Sequence, residues 1–358
     1  MTGIAEAAGW YRGEHVLVTG GLGFIGSNLA LALAHAGARV TVVDSREPGC
    51  GANPFNLHEA ESDISMVHGD IADERLIAGA LLASDVIFNL AGEVSHTHSM
   101  LFPERDFRIN AEAQLRFLRA CTRYAKGRRV VYASTRQVYG KPKRLPVSEK
   151  HQVMAVDYNG VHKHAAGQYH LLMSRQGEID AVVLRLTNIY GPRMAIGLPC
   201  QGFLPVFFRR AMEGRQISVF GDGGQLRDPV YVDDACEALL LAGAVEAPAH
   251  RILNIGSTTA VHSVGEIAEE ISRQAALPPF RLQAFPTARK KIDIGSYVSS
   301  DERATAVLGW RARTDLSEGV RRTLAYYRDR CSQYRAAEEG GGCPLGHLAA
   351  MPVAASAT

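Results

Sequence analysis

Several patterns that would decide this chain's class at once are missing from it. Six cysteines, Cys50, Cys121, Cys200, Cys236, Cys331 and Cys343, lie far apart with no CxxC pair. Neither a disulfide frame nor a structural zinc site is expected of such spacing, and the thiols read as reduced. No stretch approaches the roughly 20 apolar residues that a membrane span needs. The first fifteen residues carry Glu6 and Glu14 and no long apolar core, so no secretion signal is expected. Neither sign of charge dominates: 39 Lys and Arg against 37 Asp and Glu leave a net +2. That balance provides no electrostatic case for nucleic acid or an anionic membrane as a partner. Together these absences lead to the expectation of a cytoplasmic protein.

What is present is an ordinary globular composition, 46% hydrophobic and 21% charged over 358 residues, a length that suits two domains or one large domain with an added lobe. Up to about residue 190, short β-branched runs alternate with helical patterns. The runs are His15–Thr19, Arg39–Asp44, Ile64–His68, Asp85–Leu90, Arg129–Ala133 and Ala181–Leu186. Helical patterns fall at Ile25–His35, Asp73–Leu82, Phe107–Ala125 and Asn159–Ser174. Near-continuous apolar strands separated by helices predict a doubly wound parallel sheet of Rossmann type, covered on both faces. After Gly191-Pro192 the segments shorten, with helices predicted at Leu204–Met212, Asp233–Gly243, Val264–Gln274 and Leu316–Arg328. The expected division is therefore a dinucleotide-binding domain over 1–190 and a smaller mixed α/β lobe over 191–335. Returns to the sheet are expected near 217–260. The Gly- and Ala-rich stretch 336–358 predicts a mobile tail.

The run HVLVTGGLGFIG from His15 to Gly26 takes a strand through glycines into a helix. Gly20 permits the tight turn, Gly23 lets a diphosphate approach the backbone, and Gly26 lets the helix, opened by Phe24 and Ile25, pack closely. The helix's free N–H groups then face the diphosphate. Asp44 ends the second strand, 18 residues beyond Gly26, where its carboxylate accepts the adenosine ribose hydroxyls and repels a 2′-phosphate. NAD is the expected cofactor. Asp70-Ile71 and the strand end at Leu90 and Ala91 extend the same pocket.

TGGLGFIGS, a later STRQVYG, a lysine-bearing helix, LRLTNIYGPR and FGDGGQLRDPVYVDD occur in that order. In this the chain resembles the extended short-chain dehydrogenase/reductases, in the group of nucleotide-sugar epimerases and dehydratases, from about Glu14 to Tyr327. The resemblance implies NAD in the Rossmann domain, a nucleoside diphosphate sugar against the C-terminal lobe, and chemistry through a transient 4-keto sugar. It also implies roles. Thr135 matches the Ser/Thr that orients the sugar hydroxyl, and Lys163 matches the lysine that holds the nicotinamide ribose. Asn188 and Arg227 match residues that bind the substrate diphosphate, with Gln225 near the nucleotide ribose and Lys290 near a second phosphate-binding arginine. A solvated basic turn explains the Arg289-Lys290-Lys291 run equally well. Family members often pair as dimers through a two-helix face; the apolar stripe on Phe107–Ala125 either supplies one such helix or is all core.

One position departs from the pattern. The family's basic tyrosine sits four residues before its lysine, one helical turn, and here that residue is Asn159 in DYNGVHK. An amide is no proton acceptor near neutral pH. Three arrangements satisfy the sequence. Tyr158 swings in as the base; or Glu93, His96 or His162 replaces it; or the site binds a sugar nucleotide with altered redox chemistry. After Thr135, the family's dehydratases carry Asp-Glu and its decarboxylases a Glu in the second place, whereas this chain has Arg136 and Gln137. Epimerisation, most simply at C4, is the expected reaction. Arg136 is either a clamp for a substrate carboxylate or a solvated arginine. Metal is not expected, since His162 and His164, two apart on a helix, share no face.

Overall fold

The structure, a computed structural model, describes residues 3–198 and 201–335; the expected tail, 336–358, lies outside them. Seven parallel strands form the central sheet: β1 (His15–Thr19), β2 (Arg39–Asp44), β3 (Ile64–His68), β4 (Val86–Asn89), β5 (Arg129–Thr135), β6 (Asp180–Leu186) and β11 (Ile252–Ile255). Their order is β11-β6-β5-β4-β1-β2-β3. Chain direction across the sheet reverses between β1 and β4, so the crevice beyond their C-terminal ends is the natural ligand site of this architecture. Alternation along each strand sends side chains to two cores. Val16, Val18, Val42, Phe88 and Val182 pack on one face. Leu17, Val43, Ile87, Val130 and Ala181 pack on the other. Both faces are buried, which is why these strands are near-continuously apolar.

Helix α1 (Gly3–Gly9) precedes the first strand and packs on α9 (Val232–Ala244) through buried Ala7 and Ala8. The covering helices include α2 (Phe24–His35), α3 (Glu74–Ala83) and α7 (Tyr158–Arg175). The single helix expected over Phe107–Ala125 is instead α5 (Pro103–Phe107), a π-helical turn (Arg108–Glu112) and α6 (Ala113–Tyr124). The wide turn coincides with a side chain that grips a distant backbone. Asn110 accepts from the Glu93 amide and donates to its carbonyl, both at 3.1 Å, and such turns often mark functional places. Beyond residue 188 three two-stranded ladders appear. They are β7 (Ile189–Tyr190) with β10 (Val230–Tyr231), β8 (Ser218–Phe220) with β13 (Arg281–Gln283), and β9 (Leu226–Arg227) with β12 (His262–Ser263). The helices α8 (Phe203–Met212), α10 (Val264–Gln274), α11 (Thr287–Lys291), α12 (Glu302–Leu308) and α13 (Leu316–Arg335) complete this part.

Candidate active site

A cleft of about 400 Å³ opens over the C-terminal ends of β1, β4 and β5 and reaches toward α8 and β9. Its first end is built by the glycine turn. Gly20 has φ +70°, a conformation glycine adopts freely, and a Cβ there would meet the Ala91 amide at 2.8 Å. A Cβ on Gly26 would run into the Gly20 carbonyl, so the helix sits as close to the turn as backbone allows. Gly23 is the N-cap of α2 and supplies no side-chain cap. The first N–H groups of that helix therefore lack the protein acceptor that Ser, Thr or Asp would bring. Gly20, Gly23, Phe24, Ile25, Gly26, Asp70, Ile71, Leu90 and Ala91 all line the cleft.

Asp44 lines it too, and its carboxylate has a second task. One oxygen accepts from the Leu22 amide at 3.0 Å, the other from the Arg46 amide at 2.8 Å. Burial pushes its carboxyl above the usual carboxylate range, against the opposing pull of those amides. The strand end beside it is pinned by Thr19, whose Oγ1 donates to Asn89 Oδ1 at 2.8 Å and accepts from the amides of Leu90 and Ala91. An anion-binding helix end, a backbone too close for any Cβ and a carboxylate at the ribose distance along the chain fit an adenine dinucleotide.

At the middle of the cleft stand Thr135, the last residue of β5, and Lys163 from α7. Lys163 is buried, with Nζ 3.4 Å from the Ala133 carbonyl and close against Gly92, where a Cβ would sit 2.6 Å from it. Burial lowers its ammonium to about 8, although the carboxylates of Asp106 and Glu93 pull the other way. Asp157 caps α7 by accepting from the Gly160 amide at 2.7 Å, which starts the helix at Tyr158 and keeps Asn159 and Lys163 on one face. Asn159 lines the cleft but its amide is spent: Nδ2 donates to the Glu93 carbonyl at 2.9 Å and to Asp106 at 3.0 Å.

The far end carries Asn188, Arg136 and Arg227. Arg136 donates from Nη2 to Asn188 Oδ1 at 3.0 Å and lies over the Tyr297 ring at 5.0 Å. Its Nη1 is buried and has no partner among the described residues. Arg227 donates to the carbonyls of Leu226 and Gly295 and to Gln225, while its buried Nε is likewise without a partner. Burial, and after it the neighbouring Arg136 charge, pushes the Arg227 guanidinium down. Two guanidiniums with unmet donors face one cleft. That arrangement suits an anion.

Five expected site residues, Tyr158, Glu93, Lys290, Gln225 and His162, lie outside the lining of the cleft. Tyr158 does not swing in: one helical step from Asn159 turns it outward, where it is 44% exposed and stacks on His162. Glu93 is buried outside that lining, accepting from Arg105 at 2.7 Å and from the Cys50 thiol at 3.3 Å. Lys290 stands exposed on α11, away from the cleft lining. Gln225 also stays out of that lining, tied between Arg227 and Asp293, and so positions the guanidinium. His162 is spent on Asp106 at 2.7 Å. His96 does reach the cleft. Missed in the sequence were Asp157, which a helix-cap search would have found, and the Asp106 and Arg105 partners, which no local signal marks.

Residues 16–256 match the profile of the NAD dependent epimerase/dehydratase family. A dTDP-glucose 4,6-dehydratase of Actinoplanes is 32% identical, covering 87% of this chain and 97% of the relative. A UDP-glucose 4-epimerase of Mycolicibacterium smegmatis is also 32% identical, covering 88% and 98%. Among solved structures, the UDP-glucose 4-epimerase of Thermotoga maritima with UDP-glucose superposes with a TM-score of 0.79 at 27% identity, covering 88% of this chain and 99% of that one.

Proposed function

Because this chain belongs to the NAD dependent epimerase/dehydratase family, we propose that it is a nucleotide-sugar epimerase, inverting C4 through a transient 4-keto sugar. The observation that carries this reading is one cleft with two ends. The glycine turn and Asp44 stand at one end, the unmet donors of Arg136 and Arg227 at the other, and Thr135 and Lys163 stand between. NAD, when bound, supplies a reversible hydride acceptor. Lys163 holds the nicotinamide ribose, Thr135 orients the sugar hydroxyl, and Arg227 with Asn188 meets the diphosphate with paired N–H donors.

The residues after Thr135 favour epimerisation over elimination. Gln137 gives its amide to Asp157 at 2.8 Å and has no titratable proton, so the acid–base pair that would remove water from C5 and C6 is missing. Arg136 directly follows Thr135 and keeps a buried Nη1 without a partner among the described residues, and this favours a sugar that bears a carboxylate to meet it. The protein is assigned as a homodimer through α6 and α7, where Leu115, Tyr158, Val161 and Leu172 are exposed.

The test incubates NAD-loaded protein with paired nucleotide sugars, UDP-glucuronic acid with UDP-glucose and GDP-mannuronic acid with GDP-mannose, followed by NMR. The expected outcome is a C4 epimer with no accumulation of free NADH, and the acid of a pair turned over about 100-fold better than its neutral partner. A dehydrated or decarboxylated product, or stoichiometric NADH, overturns the epimerase reading. Equal rates within a pair remove only the carboxylate.

A further inference from the structure

Resting on the epimerase reading, we propose that His96, backed by Asp157, takes the sugar hydroxyl proton in place of the family's tyrosine. The geometry narrows the field to this group. Asn159 occupies the tyrosine position and cannot accept a proton, Tyr158 points to solvent, Glu93 is closed off by Arg105, and His162 is turned onto Asp106. His98 is likewise engaged, 3.1 Å from Arg105 and 3.6 Å from Glu93. Of the proton acceptors among these groups, His96 is the one that shares the cleft lining with Thr135 and Lys163. Its side chain is 34% exposed, while that of Asp157 is fully buried.

The pair has the parts of a carboxylate–imidazole base. Nδ1 of His96 lies 3.2 Å from Asp157 Oδ2. Its Nδ1 makes no aligned hydrogen bond among the described residues, so the contact to Asp157 is an electrostatic one at this distance. Asp157 cannot follow the ring away, because the Gly160 amide and the Gln137 side chain hold its two oxygens. Burial would raise its carboxyl, but the imidazole contact and these two donors outweigh burial and hold it below the ordinary carboxylate range. A fixed carboxylate on Nδ1 sets the tautomer that leaves Nε2 as acceptor.

The step balances. With NAD bound, the cofactor would take the C4 hydrogen with its electron pair, and the O–H proton would pass to His96 Nε2 as the carbonyl forms. On return His96 gives the proton back to oxygen as the hydride reaches the other face. The imidazolium between the two steps pairs with Asp157.

Four variants decide it, His96→Asn, His96→Gly, Asp157→Asn and Tyr158→Phe, with turnover by NMR, its pH profile, single-turnover cofactor reduction at the nicotinamide absorbance, and calorimetric affinity as the readouts. His96→Asn is expected to lower kcat about 1000-fold, with calorimetric affinities for NAD and UDP within about threefold. Imidazole in solution is expected to restore part of the turnover of His96→Gly. Asp157→Asn is expected to lower kcat less and to move the acidic limb of its pH profile. Tyr158→Phe is expected to turn over like the parent protein. Turnover of His96→Asn within fivefold of the parent overturns the assignment and leaves the epimerase reading intact. So does a raised KM in His96→Asn with no imidazole rescue of His96→Gly, which marks a substrate-holding residue. A parent protein that binds NAD and nucleotide yet converts no sugar overturns both.

Discussion

Lys163 shows how one buried charge is used twice. Its ammonium lies near the Ala133 carbonyl and over the Tyr132 ring, with burial lowering it from 10.5 to about 8. Between those two values the unfolded chain holds a proton that the folded chain has released. Stability must therefore rise with pH across that window, and the penalty is complete below pH 8. The size is about 3 kcal/mol. Urea unfolding of the ligand-free protein at pH 7.5 and 10 is expected to show the parent gaining on Lys163→Met by about 2 kcal/mol, since part of the change lies above pH 10. Turnover runs the other way, since a neutral amine holds the ribose less well: kcat/KM is expected to fall above pH 8. Asn159 is the complementary case. It keeps the hydrogen-bond frame around Asp106 and Glu93 while taking away the phenol that chemistry of this type ordinarily uses.

At the scale of elements, two helix starts carry the site. The start of α2 is left uncapped for a ligand, and that of α7 is capped by Asp157. Asp157→Ala removes both the cap and the imidazole's partner, so a loss of about 1 kcal/mol in unfolding free energy is expected together with loss of turnover. Asp157→Asn keeps a capping oxygen and is expected to retain stability within about 0.5 kcal/mol while turnover still falls. Unequal effects of the two on stability, with parallel effects on rate, separate the cap from the charge. Gly26→Ala tests the other helix. A methyl group there collides with the Gly20 carbonyl, so the turn must open and NAD affinity by calorimetry is expected to drop at least tenfold. These two helices were legible in the sequence because their signals are local: glycine spacing, apolar period, a following lysine. The break at Arg108–Glu112 was not, because it coincides with Asn110 reaching a backbone on another strand end.

At the scale of the whole molecule, α7 carries a row of exposed apolar residues. Tyr158, Val161 and Leu172 are 44%, 51% and 42% exposed and recur at helical spacing, so they form one stripe. Isolated apolar residues on a surface are ordinary, but a stripe of this kind asks for a partner. A homodimer is expected in analytical ultracentrifugation, and Val161→Asp is expected to shift it toward monomer. A parent protein that sediments as a monomer at micromolar concentration rules that assembly out. Among the described residues no helix is long and apolar enough to cross a membrane.

What the sequence determined alone is whatever depends on near neighbours in the chain. Six of the seven sheet strands, the glycine turn and Asp44 at the end of the second strand follow from period and glycine spacing, because backbone sterics and side-chain alternation act over a few residues, whereas Thr135 and Lys163 were singled out by the resemblance. The tertiary structure decided what depends on direction in space. It turned Tyr158 out and left Asn159 in the cleft. It closed Glu93 behind Arg105, and brought His96 from the segment after β4 to Asp157 before α7. Those outcomes rest on a helical step of about 100° and on pairings between residues far apart in the chain.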